Sequence, residues 1–146
     1  MLLLSIHPRF ADAIFAGTKK VELRRRAPRI AKGDEVLVYS TIPTAAVIGT
    51  FTVENVTETR LEPLWRRTRA TAAVTREQFN SYFDGLETGI GIWVGQVRPF
   101  QSPISLWSLR NLWPGFHPPQ GFRYLTPQEI ELLFDLTDTS ARARAA

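Results

Sequence analysis

The sequence contains no cysteine and only two histidines, His7 and His117, in 146 residues. Without thiols the chain has no disulfides, no thiolate metal site and no cysteine nucleophile. Two histidines are too few for an ordinary histidine-based metal centre unless carboxylates join them. We therefore expect a site with no metal and no other cofactor, in a protein of the reducing cytoplasm.

Apolar runs are short. Residues 1–4 are apolar, but polar residues and Pro8 end this run well before the apolar core of a signal peptide would be complete. No segment has the length of a membrane span, and we expect no membrane partner. Hydrophobic residues make up 44% of the chain and charged residues 22%, a balance that is typical of a soluble globular domain.

Acidic residues are outnumbered in the first half of the chain. Residues 1–76 hold 13 Lys and Arg against 7 Asp and Glu, a net charge of +6, whereas residues 77–146 hold 5 against 7, a net charge of −2. Basic charge concentrated in one half indicates a polyanionic partner. An arginine-rich composition unrelated to binding is the alternative.

The hydrophobic pattern predicts a single α+β domain. We place this domain at residues 1–137, with residues 138–146 as a flexible C-terminal tail. Pro99 and Pro103 predict a loop. Several strands interrupted by helices favour a small, strongly curved sheet or barrel with flanking helices. The predicted strands are residues 2–6, 20–24, 35–40, 46–56 and 90–97, and the predicted helices begin at Pro8, Arg60, Thr75 and Thr126.

A charged strand follows the glycine that ends the first predicted helix. Alternation places Val21 and Leu23 on one face and Lys20, Glu22 and Arg24 on the other. One carboxylate lies among five cations within eight residues. A merely solvated edge strand would gain nothing from five neighbouring like charges, so the pattern favours a strand that recognises an anion.

This stretch resembles the signature G-x-K-x-x-E-x-R of the ASCH domain (activating-signal-cointegrator homology), a family of the PUA-like superfamily. Further segments resemble family motifs in the same order, so that the resemblance covers roughly residues 2–125. It implies a PUA-like β-barrel with a cleft and an association with RNA. The matching positions are Gly17, Lys19, Glu22 and Arg24, and the further segments are residues 5–8, 38–43, 48–51 and 118–125.

Four residues are predicted to be catalytic. Lys19 and Arg24 are candidates for holding a phosphate, arginine through a planar fork and lysine as a point charge. Glu22 either accepts a proton or orients the two cations, and its cationic neighbours favour the orienting role. Tyr39 ends a strand, where its hydroxyl either enters the site or only satisfies a buried tyrosine. The residues predicted to contact RNA are Lys20, Arg25, Arg26, Ser40 and His7.

Aromatic residues fall into two groups. The first group lies on apolar periodicities and should be core: Trp65, Phe79, Phe83 and Trp93. The second lies in or beside sequence rich in proline and glycine, where most rings are expected to pack and a minority to stack on a ligand. Its members are Trp107, Trp113, Phe116 and Phe122.

Three functions remain open at this point. The leading hypothesis is an RNA-binding protein that cleaves single-stranded RNA without a metal. A non-catalytic RNA-binding module is the first alternative. The second is an amidohydrolase acting on an acylated nucleoside, but family members of that kind carry a threonine where this chain has Glu22. The partner is therefore expected to be RNA, single-stranded rather than duplex, or a nucleoside or nucleotide.

We expect binding to single-stranded RNA to depend strongly on salt, because the basic half of the chain would displace counterions. If about four or five phosphates are contacted, log K should fall against log salt with a slope of roughly −3 to −3.5. Fluorescence anisotropy across a salt series measures this slope. A flat response would remove the polyanion interpretation.

Overall fold

The computed structural model describes residues 1–145 and contains six strands and five helices. In chain order they are β1 (Leu2–Ile6), α1 (Pro8–Ala16), β2 (Val21–Arg24), β3 (Glu35–Ser40), β4 (Ala46–Arg60), α2 (Leu61–Thr68), α3 (Arg76–Tyr82), β5 (Thr88–Ser105), α4 (Leu106–Leu112), β6 (Phe122–Tyr124) and α5 (Pro127–Ala145). Ala146, the last residue of the predicted tail, lies outside the described residues. Among residues 1–145, no helix is both long enough and apolar enough to cross a membrane.

The six strands of the described chain form one mixed sheet in the order β2-β5-β4-β3-β1-β6. β1 runs parallel to β3 and antiparallel to β6, while β2 is antiparallel to β5. β1 is buried along its whole length, as expected for an apolar strand of a parallel pair that is covered on both faces. The predicted α+β class is confirmed.

The chain divides into two compact units. Unit 1 comprises residues 1–8, residues 35–50 and the residues from 98 onward, and unit 2 comprises residues 9–34 and 51–97. The boundary of a single domain at residue 137 and the flexible tail after it stay predictions. In the structure α5 continues to Ala145.

Unit 1 has its core on β1 and β3, closed by side chains of α4, α5 and the irregular segment between α4 and β6. Trp113 and Phe116 are buried there with their ring centroids 5.3 Å apart, so both pack in the core, as was expected of most of the second aromatic group. Trp107 differs, because 75% of it is exposed. The core residues include Leu3, Leu37, Tyr39, Val47, Leu109 and Leu133.

Unit 2 packs β2 against α2 and α3. Phe79 and Phe83 are fully buried, and Trp65 and Trp93 lie at the edge of the same cluster, which confirms the predicted core aromatics. α3 follows the helix start predicted at Thr75, and it begins with a capping box in which Thr75 and Gln78 exchange hydrogen bonds with each other's backbone N–H.

One prediction about the middle of the chain is wrong. Residues 99–103 are not a loop, because β5 continues through both prolines to Ser105. Pro99 and Pro103 are exposed, and the fixed φ of proline is compatible with an extended backbone wherever its missing N–H is not needed for pairing.

Gly89 provides a test of the packing in unit 2. A Cβ atom at this position would lie 2.5 Å from a ring atom of Phe83 and 2.9 Å from a methyl group of Leu64, both of which are buried. We expect Gly89→Ala to lower the free energy of unfolding by about 1–3 kcal/mol through overpacking. Urea unfolding measures this change. Gly121→Ala is the matched control, because a Cβ there meets nothing within 4 Å, and an equal loss in both variants would contradict the described packing.

Candidate functional site

Unit 2 contains a cavity of about 450 Å³. Its walls come from three places in the chain: α1, the start of β2 and α3. The residues that matter for its chemistry are Phe10, Lys19, Glu22, Gln78, Phe79 and Tyr82. This size lies within the range of small-molecule sites.

Lys19 lies at the inner wall of the cavity and is 2% exposed. Gly17, in the left-handed conformation at φ +82°, ends α1 and turns the chain so that Lys19 points inward. Its Nζ donates a hydrogen bond of 2.5 Å to the backbone carbonyl of Ala72 and lies 4.8 Å from the ring centroid of Phe10. Burial lowers the pKa of Lys19, an effect that the carboxylate of Glu22 opposes and the charge of Arg24 reinforces.

Glu22 and Arg24 form a nearly buried pair beside Lys19. Their side chains are 9% and 12% exposed, and Arg24 Nε lies 3.8 Å from Glu22 Oε1. Glu22 Oε2 is buried and has no hydrogen-bond partner among residues 1–145. Glu22 lines the cavity, so this unsatisfied acceptor belongs to a residue of the cavity wall.

Tyr82 contributes a hydroxyl to the same cavity from the last turn of α3. Burial raises the pKa of Tyr82; the positive charge of Arg24 works against this effect and the negative charge of Glu22 adds to it. The phenol is therefore a neutral O–H donor at neutral pH. Since both Arg24 and Glu22 act on it, the hydroxyl belongs to the same electrostatic cluster.

The other cations of the charged run are exposed, unlike Lys19 and Arg24. Lys20 and Arg26 are exposed. Arg25 Nη1 donates to the backbone carbonyls of Tyr82 at 2.6 Å and Asp84 at 3.2 Å, so it satisfies carbonyl groups at the C-terminal end of α3. The charged run thus consists of an inner group, Lys19, Glu22 and Arg24, and an outer group, Lys20, Arg25 and Arg26.

Three of the predicted site residues belong to unit 1. Tyr39 is 2% exposed, and burial raises its pKa while the positive charge of Arg110 opposes that effect. Ser40 is fully buried, and its Oγ has no hydrogen-bond partner among residues 1–145. His7 is exposed. The roles of all three stay predictions.

The sequence interpretation missed the contribution of α1 and α3 to the site. It assigned Phe79 to the core and gave Phe10, Gln78 and Tyr82 no role in the site. A signal was present in the cluster of rings at positions 79, 82 and 83, where tyrosine adds a polar tip to an otherwise apolar face. In the described part of the chain, no group of three or more His, Asp or Glu residues is arranged to hold a metal ion.

Comparison with known proteins assigns the family. The ASCH domain model matches residues 4–95, and the chain belongs to the ASCH domain family. It is 34% identical to a protein named ASCH domain-containing ribonuclease from Zymomonas mobilis, over 92% of this chain and 90% of that protein.

Solved structures confirm the fold. The crystal structure of ASCH from Zymomonas mobilis superposes with a TM-score of 0.87 at 32% identity, covering 92% of this chain and 94% of that one. The N-terminal domain of Staphylothermus marinus McrB shares the fold alone, with a TM-score of 0.54 and 10% identity over 92% of each chain. The predicted ASCH resemblance and PUA-like fold class are therefore confirmed.

The buried ammonium of Lys19 should leave a signature in stability against pH. Its pKa is lowered on folding, so between the folded value and the unfolded value of about 10.4 the unfolded chain binds the extra proton and stability rises with pH. Relative to Lys19→Met, the natural protein should therefore gain stability as the pH rises through the alkaline range toward about 10.4. Each unit by which the pKa is lowered is worth about 1.4 kcal/mol over this window.

Urea unfolding at neutral and alkaline pH measures this difference. Lys20→Met is the matched control, because it removes the same charge from an exposed neighbouring position where the ammonium group is not buried. A stability difference between the natural protein and Lys19→Met that stays constant with pH would contradict the burial of this ammonium group.

Proposed function

We propose that this protein binds single-stranded RNA and cleaves it without a metal ion, as a cytoplasmic ribonuclease of the ASCH family. The observation that carries the proposal is the buried cluster of Lys19, Glu22 and Arg24, in which one carboxylate oxygen beside two cations has no hydrogen-bond partner in the part of the chain that the structure describes. The similarity to a Zymomonas mobilis protein named a ribonuclease, which extends over 92% of this chain, supports it.

The chemistry that suits this cluster begins at the 2′-hydroxyl of the RNA. Glu22 Oε2 takes the 2′-hydroxyl proton while the oxygen attacks the adjacent phosphorus, and the bond from phosphorus to the 5′-oxygen breaks. The leaving 5′-oxygen receives a proton from the neutral phenol of Tyr82 in the cavity. The products are a 2′,3′-cyclic phosphate and a 5′-hydroxyl, and proton exchange with water restores both groups.

The two cations have separate tasks in this scheme. Arg24 stabilises the negative charge that develops on the phosphorane, which a preorganised donor does at no cost of reorganisation. Lys19, held by the carbonyl of Ala72, contributes a fixed positive charge behind Glu22. The exposed cations of unit 2, Lys20, Arg25 and Arg26, are proposed to contact the RNA. The predicted RNA contacts of His7 and Ser40 in unit 1 stay predictions, and Ser40 is fully buried.

A second candidate function is hydrolysis of an acylated nucleoside. The observation that favours it is the cavity itself, which at about 450 Å³ and with the rings of Phe10, Phe79 and Tyr82 in its walls suits one nucleoside better than a strand. In that reaction Glu22 would activate a water molecule for attack on the acyl carbon.

Glu22→Gln tests the proposal, because it keeps the shape of the side chain and removes its charge and basicity. RNA affinity should hold or rise, while the rate of cleavage should fall by roughly 10²–10⁴, the usual worth of general acid–base catalysis. Glu58→Gln is the matched control, since Glu58 is an exposed residue of β4 outside the cavity. Labelled single-stranded RNA, duplex RNA and single-stranded DNA are each incubated with a chelator or with Mg²⁺ or Mn²⁺.

The outcomes separate the functions. Cleavage in chelator that disappears when the 2′-hydroxyl is replaced by hydrogen supports the proposed mechanism. Binding without products identifies a non-catalytic module, and release of the acyl group from N-acylated nucleosides identifies the amidohydrolase. Cleavage that requires added metal overturns the metal-free mechanism, and unfolding of Glu22→Gln would reduce Glu22 to a buried ion-pair partner.

A further inference from the structure

Unit 1 carries an exposed indole that the proposed catalytic cluster does not use. Trp107 lies in the first turn of α4 and is 75% exposed, whereas the tryptophan at the other end of the same helix, Trp113, is 5% exposed. Arg110 follows Trp107 by three positions, which places the two side chains next to each other on one face of the helix. Arg110 is exposed as well.

Arg110 is the arginine that supplies positive charge to this surface. Residues 88–128, which include β5, α4 and β6, have no Asp or Glu and carry Arg98, Arg110 and Arg123. Arg98 is paired with Glu35 and Arg123 with Glu129, whereas Arg110 forms no ion pair within the described residues. The face of α4 around Trp107 therefore combines an aromatic ring with the charge of Arg110, which is complementary to a phosphate.

Arg110 is held in place and lies near a predicted site residue. Its Nε donates to the backbone carbonyl of Phe116 at 3.3 Å, the single hydrogen bond of this guanidinium within residues 1–145. The terminal nitrogens are left for an outside acceptor. Its positive charge also acts on the hydroxyl of Tyr39 in the same unit.

The loop after β3 lies beside α4. The backbone N–H of Leu106 donates to the carbonyl of Ala45 at 2.9 Å, which ties residues 41–45 to the beginning of the helix. Ile42 in this loop is 81% exposed. The loop and the helix thus present Ile42 and Trp107, the two most exposed large apolar side chains of the described chain, from directly bonded segments.

We propose that Trp107 and Arg110 form an RNA-binding subsite, in which the indole stacks on an unpaired base and the guanidinium binds a neighbouring phosphate. This subsite rests on the proposed function, and it selects Trp107 of α4 from the second aromatic group as the ring that stacks on a ligand. Every base can stack on an aromatic ring, so the subsite would bind single-stranded RNA without selecting its sequence.

The test compares oligoribonucleotide binding by the natural protein, Trp107→Ala, Trp107→Phe and Arg110→Gln. Trp107→Ala should weaken binding by roughly 5- to 100-fold, which is the stacking of one base converted to an affinity ratio. Trp107→Phe should retain most of the affinity. Arg110→Gln should reduce the slope of log K against log salt by about 0.7, because one phosphate contact is lost. Because the indole is exposed, thermal melting should be unchanged in both Trp107 variants. Arg110→Gln should lower the melting temperature only through the loss of the hydrogen bond from Nε to the carbonyl of Phe116.

Two controls make the result specific. Tyr124→Ala removes another exposed ring of unit 1, located on β6, and should leave affinity within about twofold if Trp107 is the stacking residue, given that stacking is worth more than this. An oligoribonucleotide with abasic positions should bind the natural protein and Trp107→Ala equally, because it offers no base to stack.

Failure of this inference can be told apart from failure of the proposed function. If the natural protein binds no RNA, both fall together. If it binds RNA and Trp107→Ala binds equally well, or if Tyr124→Ala loses as much affinity as Trp107→Ala, the α4 subsite is wrong and the catalytic cluster is untouched. A further outcome is that the natural protein sediments as a dimer, while Trp107→Ala sediments as a monomer and keeps its RNA affinity. In that case the surface formed by Trp107 and Arg110 joins two copies of the chain and does not bind RNA.

Discussion

The buried ammonium group of Lys19 is the constraint on which the candidate site depends. Moving a charge out of water is costly unless other groups replace its hydration. Here the replacements are the carbonyl of Ala72, the face of the Phe10 ring and the carboxylate of Glu22. These groups come from the segment after α2, from α1 and from β2, so that solvating one charge also fixes the positions of three parts of unit 2.

Most of the fold could be predicted from the sequence because its signals are local. The capping box at Thr75, the proline at the start of α1 and the alternation in β2 each depend on a few neighbouring residues. The exception is the continuation of β5 through Pro99 and Pro103. Whether a proline ends a strand depends on whether a partner strand needs its N–H, and this is a property of the sheet and not of the local sequence.

The site could be predicted only where its charged residues lie close together in one short segment. Lys19, Glu22 and Arg24 lie within six residues of β2 and the turn before it, and the structure groups them as the signature implies. The α3 wall of the cavity could not be predicted in the same way, because Tyr82 is separated from Glu22 by sixty positions and comes near it only through folding. Sequence also could not divide the cations into an inner and an outer group, because alternation alone does not show that Arg25 is bonded to the end of α3.

The partner of Lys19 is a backbone oxygen, and this has a consequence for how the protein tolerates genetic change. A side-chain acceptor can be lost by substitution, whereas every amino acid at position 72 brings the same carbonyl to the ammonium group. Drift at this position is restricted by the space around the buried methyl group of Ala72 and not by the need for an acceptor. The group that holds Lys19 is thus a backbone atom, so related sequences can differ at position 72 and still keep the lysine.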